Sequence, residues 1–158
     1  MIYEKIILIL VVFLLTLTGY GKERIEDVSK QEERKGKIYV IGEKKSYTGT
    51  FIVKNQSGKL EYELKFKDGI FLEEKGYYSD GKILYISVYS EEREGITKSY
   101  YKSGKLRLEK MTKNGIEEGQ LKLYYENGSL QSITEYKDGE EITPTKWYDE
   151  NGNPKPFL

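Results

Sequence analysis

A chain of 158 residues in which 26 lysines and arginines balance 26 aspartates and glutamates has no net charge to draw it to nucleic acid or to a basic partner. Cysteine and histidine are both absent, which removes thiolate nucleophiles, disulfides, the common zinc ligand sets and the usual near-neutral general base. Fifteen tyrosines, against one tryptophan and five phenylalanines, suit strands whose surface is half buried and half wet.

The chain opens on an export pattern. Lys5 and the amino terminus form a short positive region, weakened by Glu4, and residues 6–17 are apolar except for Thr16. A bilayer span needs about 20 apolar residues, so this length suits the hydrophobic region of a signal peptide better. Leu17-Thr18-Gly19-Tyr20 resembles a bacterial lipobox, but its fourth position is Tyr20 where lipidation needs cysteine. Cleavage near Gly19 or Gly21 is expected, with an uncleaved membrane tether as the alternative; either places the protein in the bacterial periplasm or cell envelope. Residues 1–21 are therefore read as signal peptide or anchor. Residues 22–37 carry only Ile25 and Val28 as apolar side chains and read as a charged spacer, with a short helix over 23–34. Gly, Lys and Ser between Gly36 and Ser46 lack the spacing of a phosphate loop.

From Ile38 to Leu158 the pattern is one of short strands. Leu60, Tyr62, Leu64 and Phe66 alternate strictly and share one face. One phrase then recurs: Tyr77-Tyr78-Ser79-Asp80-Gly81, Tyr100-Tyr101-Lys102-Ser103-Gly104 and Tyr124-Tyr125-Glu126-Asn127-Gly128. Weaker copies end in Gly58 and Gly152, and a fixed period in the twenties marks a repeat architecture. Second turns fall at Lys67-Asp68-Gly69, Lys113-Asn114-Gly115 and Lys137-Asp138-Gly139, whereas Glu91 to Gly95 predicts an irregular connection. Links this short join antiparallel neighbours, so the expected fold is all-β, an elongated, twisted single-sheet meander. The turn glycines 58, 81, 104, 128 and 152 should take positive φ. Pro144, Pro154 and Pro156 should end the pairing and blunt the edge.

These units resemble bacterial MORN-variant repeats, in which a Tyr-Tyr-x-x-Gly-Lys-Leu segment is followed by an aromatic-Lys-Asn/Asp-Gly turn. Residues 116–125 and Glu135-Tyr136-Lys137-Asp138-Gly139 carry the likeness best, and it extends from Tyr47 to Gly152. Many bacterial proteins of this kind are YwqK-type antitoxin components, and MORN modules elsewhere associate with membranes or proteins. The resemblance thus implies a binding scaffold, although a shared repeat does not by itself fix a role.

Adjacent tyrosines point to opposite faces of a sheet. One member of each pair in Tyr77/Tyr78, Tyr100/Tyr101 and Tyr124/Tyr125 is therefore expected in the core, against Leu60, Leu64, Leu106, Leu108 and Leu130. The other member is expected to be at least partly exposed, either in plain cross-strand aromatic packing or as an aromatic platform for a protein strand or a glycan, extended by Trp147-Tyr148. Glu117-Glu118 and Glu140-Glu141 read as solvated turn charge, and no loop has the pattern of a calcium site. No catalytic residue, metal or cofactor is expected. The expected function is a non-enzymatic binding or scaffolding module with a protein or the envelope surface as partner. The alternative is an antitoxin or immunity-type protein that neutralises a toxin.

Overall fold

The computed structural model describes residues 23–156, so the expected signal or anchor over 1–21 lies outside the described residues. In chain order come β1 (Ile25–Asp27), a 3-10 turn (Val28–Lys30), β2 (Gln31–Arg34), β3 (Lys37–Val40) and β4 (Gly49–Lys54). They are followed by β5 (Leu60–Lys67), β6 (Ile70–Tyr77), β7 (Ile83–Tyr89), β8 (Glu94–Tyr100) and β9 (Leu106–Lys113). The last are β10 (Ile116–Glu117), β11 (Gly119–Tyr124), β12 (Leu130–Lys137), β13 (Glu140–Tyr148) and β14 (Pro154–Lys155). Twelve of these strands form one sheet in the order β1-β4-β5-β6-β7-β8-β9-β11-β12-β13-β14, with β10 on β9. From β4 onward every pairing is antiparallel, the expected meander, while β1 runs parallel to β4.

Local chemistry explains this regularity. Asp68-Gly69, Asn114-Gly115 and Asp138-Gly139 all have positive φ, as two-residue hairpins whose twist matches their strands require. The other turns span five residues. In the turn begun by Tyr125, its N–H donates to the Ser129 carbonyl and the Gly128 N–H donates back to the Tyr125 carbonyl, both at 2.9 Å. Gly128 lies at φ 97°, and Gly58, Gly81, Gly104 and Gly152 have positive φ as expected. The register shifts by one residue beside this kind of turn, for example between Gly76 and Tyr77 and between Ser99 and Tyr100. Such bulges increase strand twist. The connection from Glu91 to Gly95 is a correction. The Ser90 N–H donates to Glu94 and the Arg93 N–H to Ser90, the same five-residue turn, with Arg93 at φ 59° where the others have glycine.

The segment read as a charged spacer is built into the fold from Glu23 onward, and the expected short helix over 23–34 is cut down to the 3-10 turn Val28–Lys30 between two strands. Strand β1 adds to β4, and β2 and β3 make a separate hairpin. Of the segment's two apolar residues, Val28 packs with Ile38 on the buried cluster of Val40, Tyr47, Phe51 and Phe66, whereas Ile25 stays 60% exposed. Tyr47 is fully buried, and its hydroxyl reaches the Thr50 carbonyl at 2.9 Å and that of Arg24 at 3.0 Å. Ring contacts continue outward from Phe66 to Phe71 and from Phe71 to Tyr89, each at 5.2 Å between centroids.

The tyrosine pairs do not supply a core row. All six are half-buried, because only the N-terminal end of this single-layer sheet has a second layer over it. Two of the three prolines do not stop the pairing. Pro144 sits within β13 at a register shift, where a ladder can spare an N–H, and Pro154 pairs with Tyr148, while Pro156 follows directly on the last paired residue, Lys155.

Candidate functional site

The face bearing Phe51 and Phe66 is termed inner, and the opposite face outer. Strand registers carry both faces along the sheet. Tyr77, Tyr100, Tyr124 and Tyr148 each follow an inner-face residue (Gly76, Ser99, Leu123 and Trp147), so all four lie in one outer column. Successive members are two strands apart, a spacing of about 10 Å. Tyr77 donates to a Glu63 carboxylate oxygen at 2.8 Å. Burial, with that carboxylate second, raises its phenol pKa.

The second tyrosines act differently. Tyr78 opens a turn, and its hydroxyl donates to the Tyr100 carbonyl at 2.8 Å. Tyr101 does the same to Tyr124 at 2.6 Å and Tyr125 to Tyr148 at 2.9 Å. Each one fastens its own turn to the next repeat. The Lys59 and Lys82 ammonium groups add parallel links to the carbonyls of Ser79 and Lys102. Tyr78, Tyr101 and Tyr125 are thus committed to architecture. Trp147 is 45% exposed but lies on the inner face, so Tyr148 alone extends the outer column.

The inner face holds a feature not expected from the sequence. Along β8 its inner positions are Gly95, Thr97 and Ser99. They pair on one side with Tyr89, Ser87 and Tyr85, and on the other with Thr112, Lys110 and Leu108. Small residues flanked by large ones leave a shallow groove of about 400 Å³. Ser87 and Thr97 share a hydrogen bond of 2.9 Å, Lys110 pairs with Glu117 at 3.0 Å, and the Tyr85 hydroxyl donates to Glu74. Ser99 is 6% exposed, and its hydroxyl has no hydrogen-bond partner. An unmet buried hydroxyl costs about 1–3 kcal/mol, so it stands out in a structure that satisfies its neighbours. Burial first, then Glu74, raises the Tyr85 phenol pKa. The signal available in the sequence was the alternation of Gly95, Thr97 and Ser99, small side chains at every second position.

No group of three or more acidic side chains that could hold a metal occurs among the described residues. Three consecutive stretches, residues 72–91, 93–114 and 117–138, match the MORN repeat variant family. Each stretch takes in one hairpin (β6–β7, β8–β9 and β11–β12) with a tyrosine pair at its turn. The flanking turns at Asn55 and Asp149 keep the hydrogen-bond pattern with an Asx side chain in place of the second tyrosine, and lie outside the matched stretches. No curated protein matches the chain.

Proposed function

We propose that this protein is a non-enzymatic binding and scaffolding module of the bacterial cell envelope, exported or tethered through its N-terminal apolar stretch. The observation that carries the reading is the outer column of Tyr77, Tyr100, Tyr124 and Tyr148, half-buried and evenly stepped on a single-layer sheet. Aromatic rings supply large contact area at low entropic cost and dominate interface hot spots. MORN-type repeats commonly bind proteins or membrane surfaces, which supports the same role. A protein partner suits a flat, periodic surface of this kind.

Photo-crosslinking in native cells, with the reactive residue at Tyr100 or Tyr124 and a control at Leu121, on the inner face and outside the groove, tests both halves. The expected result is a discrete adduct from the outer positions, recovered in the envelope fraction. A cytoplasmic protein that retains Met1 would overturn the location. Adducts no stronger from the outer column than from Leu121 would overturn the surface.

A further inference from the structure

We infer that the inner-face groove over β8 binds a short oligosaccharide. Its floor is Thr97 and Ser99 on β8, about 7 Å of extended strand, room for one or two sugar rings, and the Tyr89 ring and Thr112 close it off over Gly95. The floor and walls are chemically matched to such a ligand. Ser87, Thr97, Ser99 and Thr112 present hydroxyls, each able both to donate and to accept, as sugar hydroxyls do. The Tyr85 and Tyr89 rings form one wall, apolar surfaces on which the C–H face of a pyranose can rest. The groove has no deep apolar pocket to anchor a peptide side chain, and it lies on a face, away from the sheet edge where a peptide strand would find backbone partners.

The unmet Ser99 hydroxyl points to a ligand independently of this lining. The comparable inner surface over β12 is built from Ser132 and Thr134, also buried, and there Thr134 is satisfied by Thr145 at 2.7 Å. Among the described residues, Ser99 carries the one buried hydroxyl found without a partner. Arg107 and Lys110 at its rim tolerate either a neutral or an acidic sugar chain. This inference does not depend on the outer tyrosine column.

Amide chemical shifts of the purified chain, titrated with chitotetraose, maltotetraose, tetragalacturonate and a serine-rich peptide at millimolar concentration, provide the test. At least one of the sugars should shift amides of β7, β8 and β9, with the tetragalacturonate arm separating acidic from neutral recognition. Ser99→Ala should weaken that sugar's affinity about fivefold, the loss of one hydrogen bond, without lowering the melting temperature. The inference is overturned if no sugar shifts these amides, if the peptide alone does, if the shifts centre elsewhere, or if Ser99→Ala binds as tightly as the parent. Such a failure leaves the outer-face crosslinks untouched, so the two readings fall separately.

Discussion

At Arg93 a long, β-carbon-bearing side chain occupies a left-handed position that glycine holds in the five other turns of the same hydrogen-bond pattern. That conformation costs a non-glycine residue about 1–2 kcal/mol. Arg93→Gly relieves the strain but loosens the unfolded chain, so a net gain of roughly 0.5–1 kcal/mol is expected in chemical denaturation. The reverse change at Gly104, φ 85°, should cost about 1–2 kcal/mol as Gly104→Ala, while Ser103→Ala beside it should be nearly silent. Equal unfolding midpoints for the two would remove the turn assignment. Gly76 has a different reason. A β-carbon there would come within 2.3 Å of the Tyr85 ring, so this glycine makes room for a cross-strand aromatic.

Between elements, the decisive interaction is a hydroxyl reaching one repeat ahead. Tyr101→Phe deletes the 2.6 Å bond to the Tyr124 carbonyl and leaves that carbonyl short of a donor. It should lose about 1 kcal/mol of stability, whereas Tyr100→Phe, in the outer column, should lose much less. Thermal melts of the two variants check this, and similar losses would mean that the tyrosines of a pair are equivalent. The turn begun by Asp149, like that begun by Asn55, has an Asx side chain in place of the second tyrosine. The Asp149 carboxylate accepts from the Asn153 side-chain amide and from the backbone N–H groups of Asn153 and Asn151, which holds the carboxyl below its ordinary range. At the other end, Arg24 joins Glu43 at 2.6 Å and Lys30 joins Glu26 at 2.9 Å, securing the segment that precedes the first repeat. These pairs are exposed and will weaken with salt.

Across the whole molecule, burial is uneven, and stability should follow it. The cluster of Val40, Tyr47, Phe51 and Phe66 lies at the N-terminal end, while β13 is largely exposed and β14 is two residues long. Amide hydrogen exchange should therefore be slowest in β4–β6 and fastest in β13 and β14, as expected when each repeat rests mainly on its neighbours. Uniform protection would contradict this. Alkaline pH should act on the same end. Burial pushes the Tyr47 phenol up to about 12, and Tyr77 and Tyr85 are raised as well. A phenol whose pKa is raised on folding contributes stability that is intact below its unfolded value of about 10 and is lost as pH rises through the folded value. Melting temperature should thus fall above about pH 10, and Tyr85→Phe should make that fall shallower. Tyrosinate absorbance followed through the melt would verify the link.

The sequence by itself determined the class of fold, the repeat length and the turn positions. Those depend on neighbours within a few residues: an Asx-Gly pair forces a tight hairpin, and period-two alternation forces a strand. It also marked the tyrosine pairs as special, and all three matched hairpins turn on them. It could not divide each pair into a fastener and a free ring, because Tyr78, Tyr101 and Tyr125 find their acceptors 22 or 23 residues away. Only strand register decides which carbonyl is in reach. The spacer was misjudged for a related reason. Ile25 and Val28 look too few to order the segment, and Ile25 stays exposed; what orders it is the edge that β4 offers β1 and the surface that Tyr47, Phe51 and Phe66 offer Val28. The groove over β8 likewise exists only through its two neighbours, since a row of small residues becomes a channel when larger side chains stand in register on both sides.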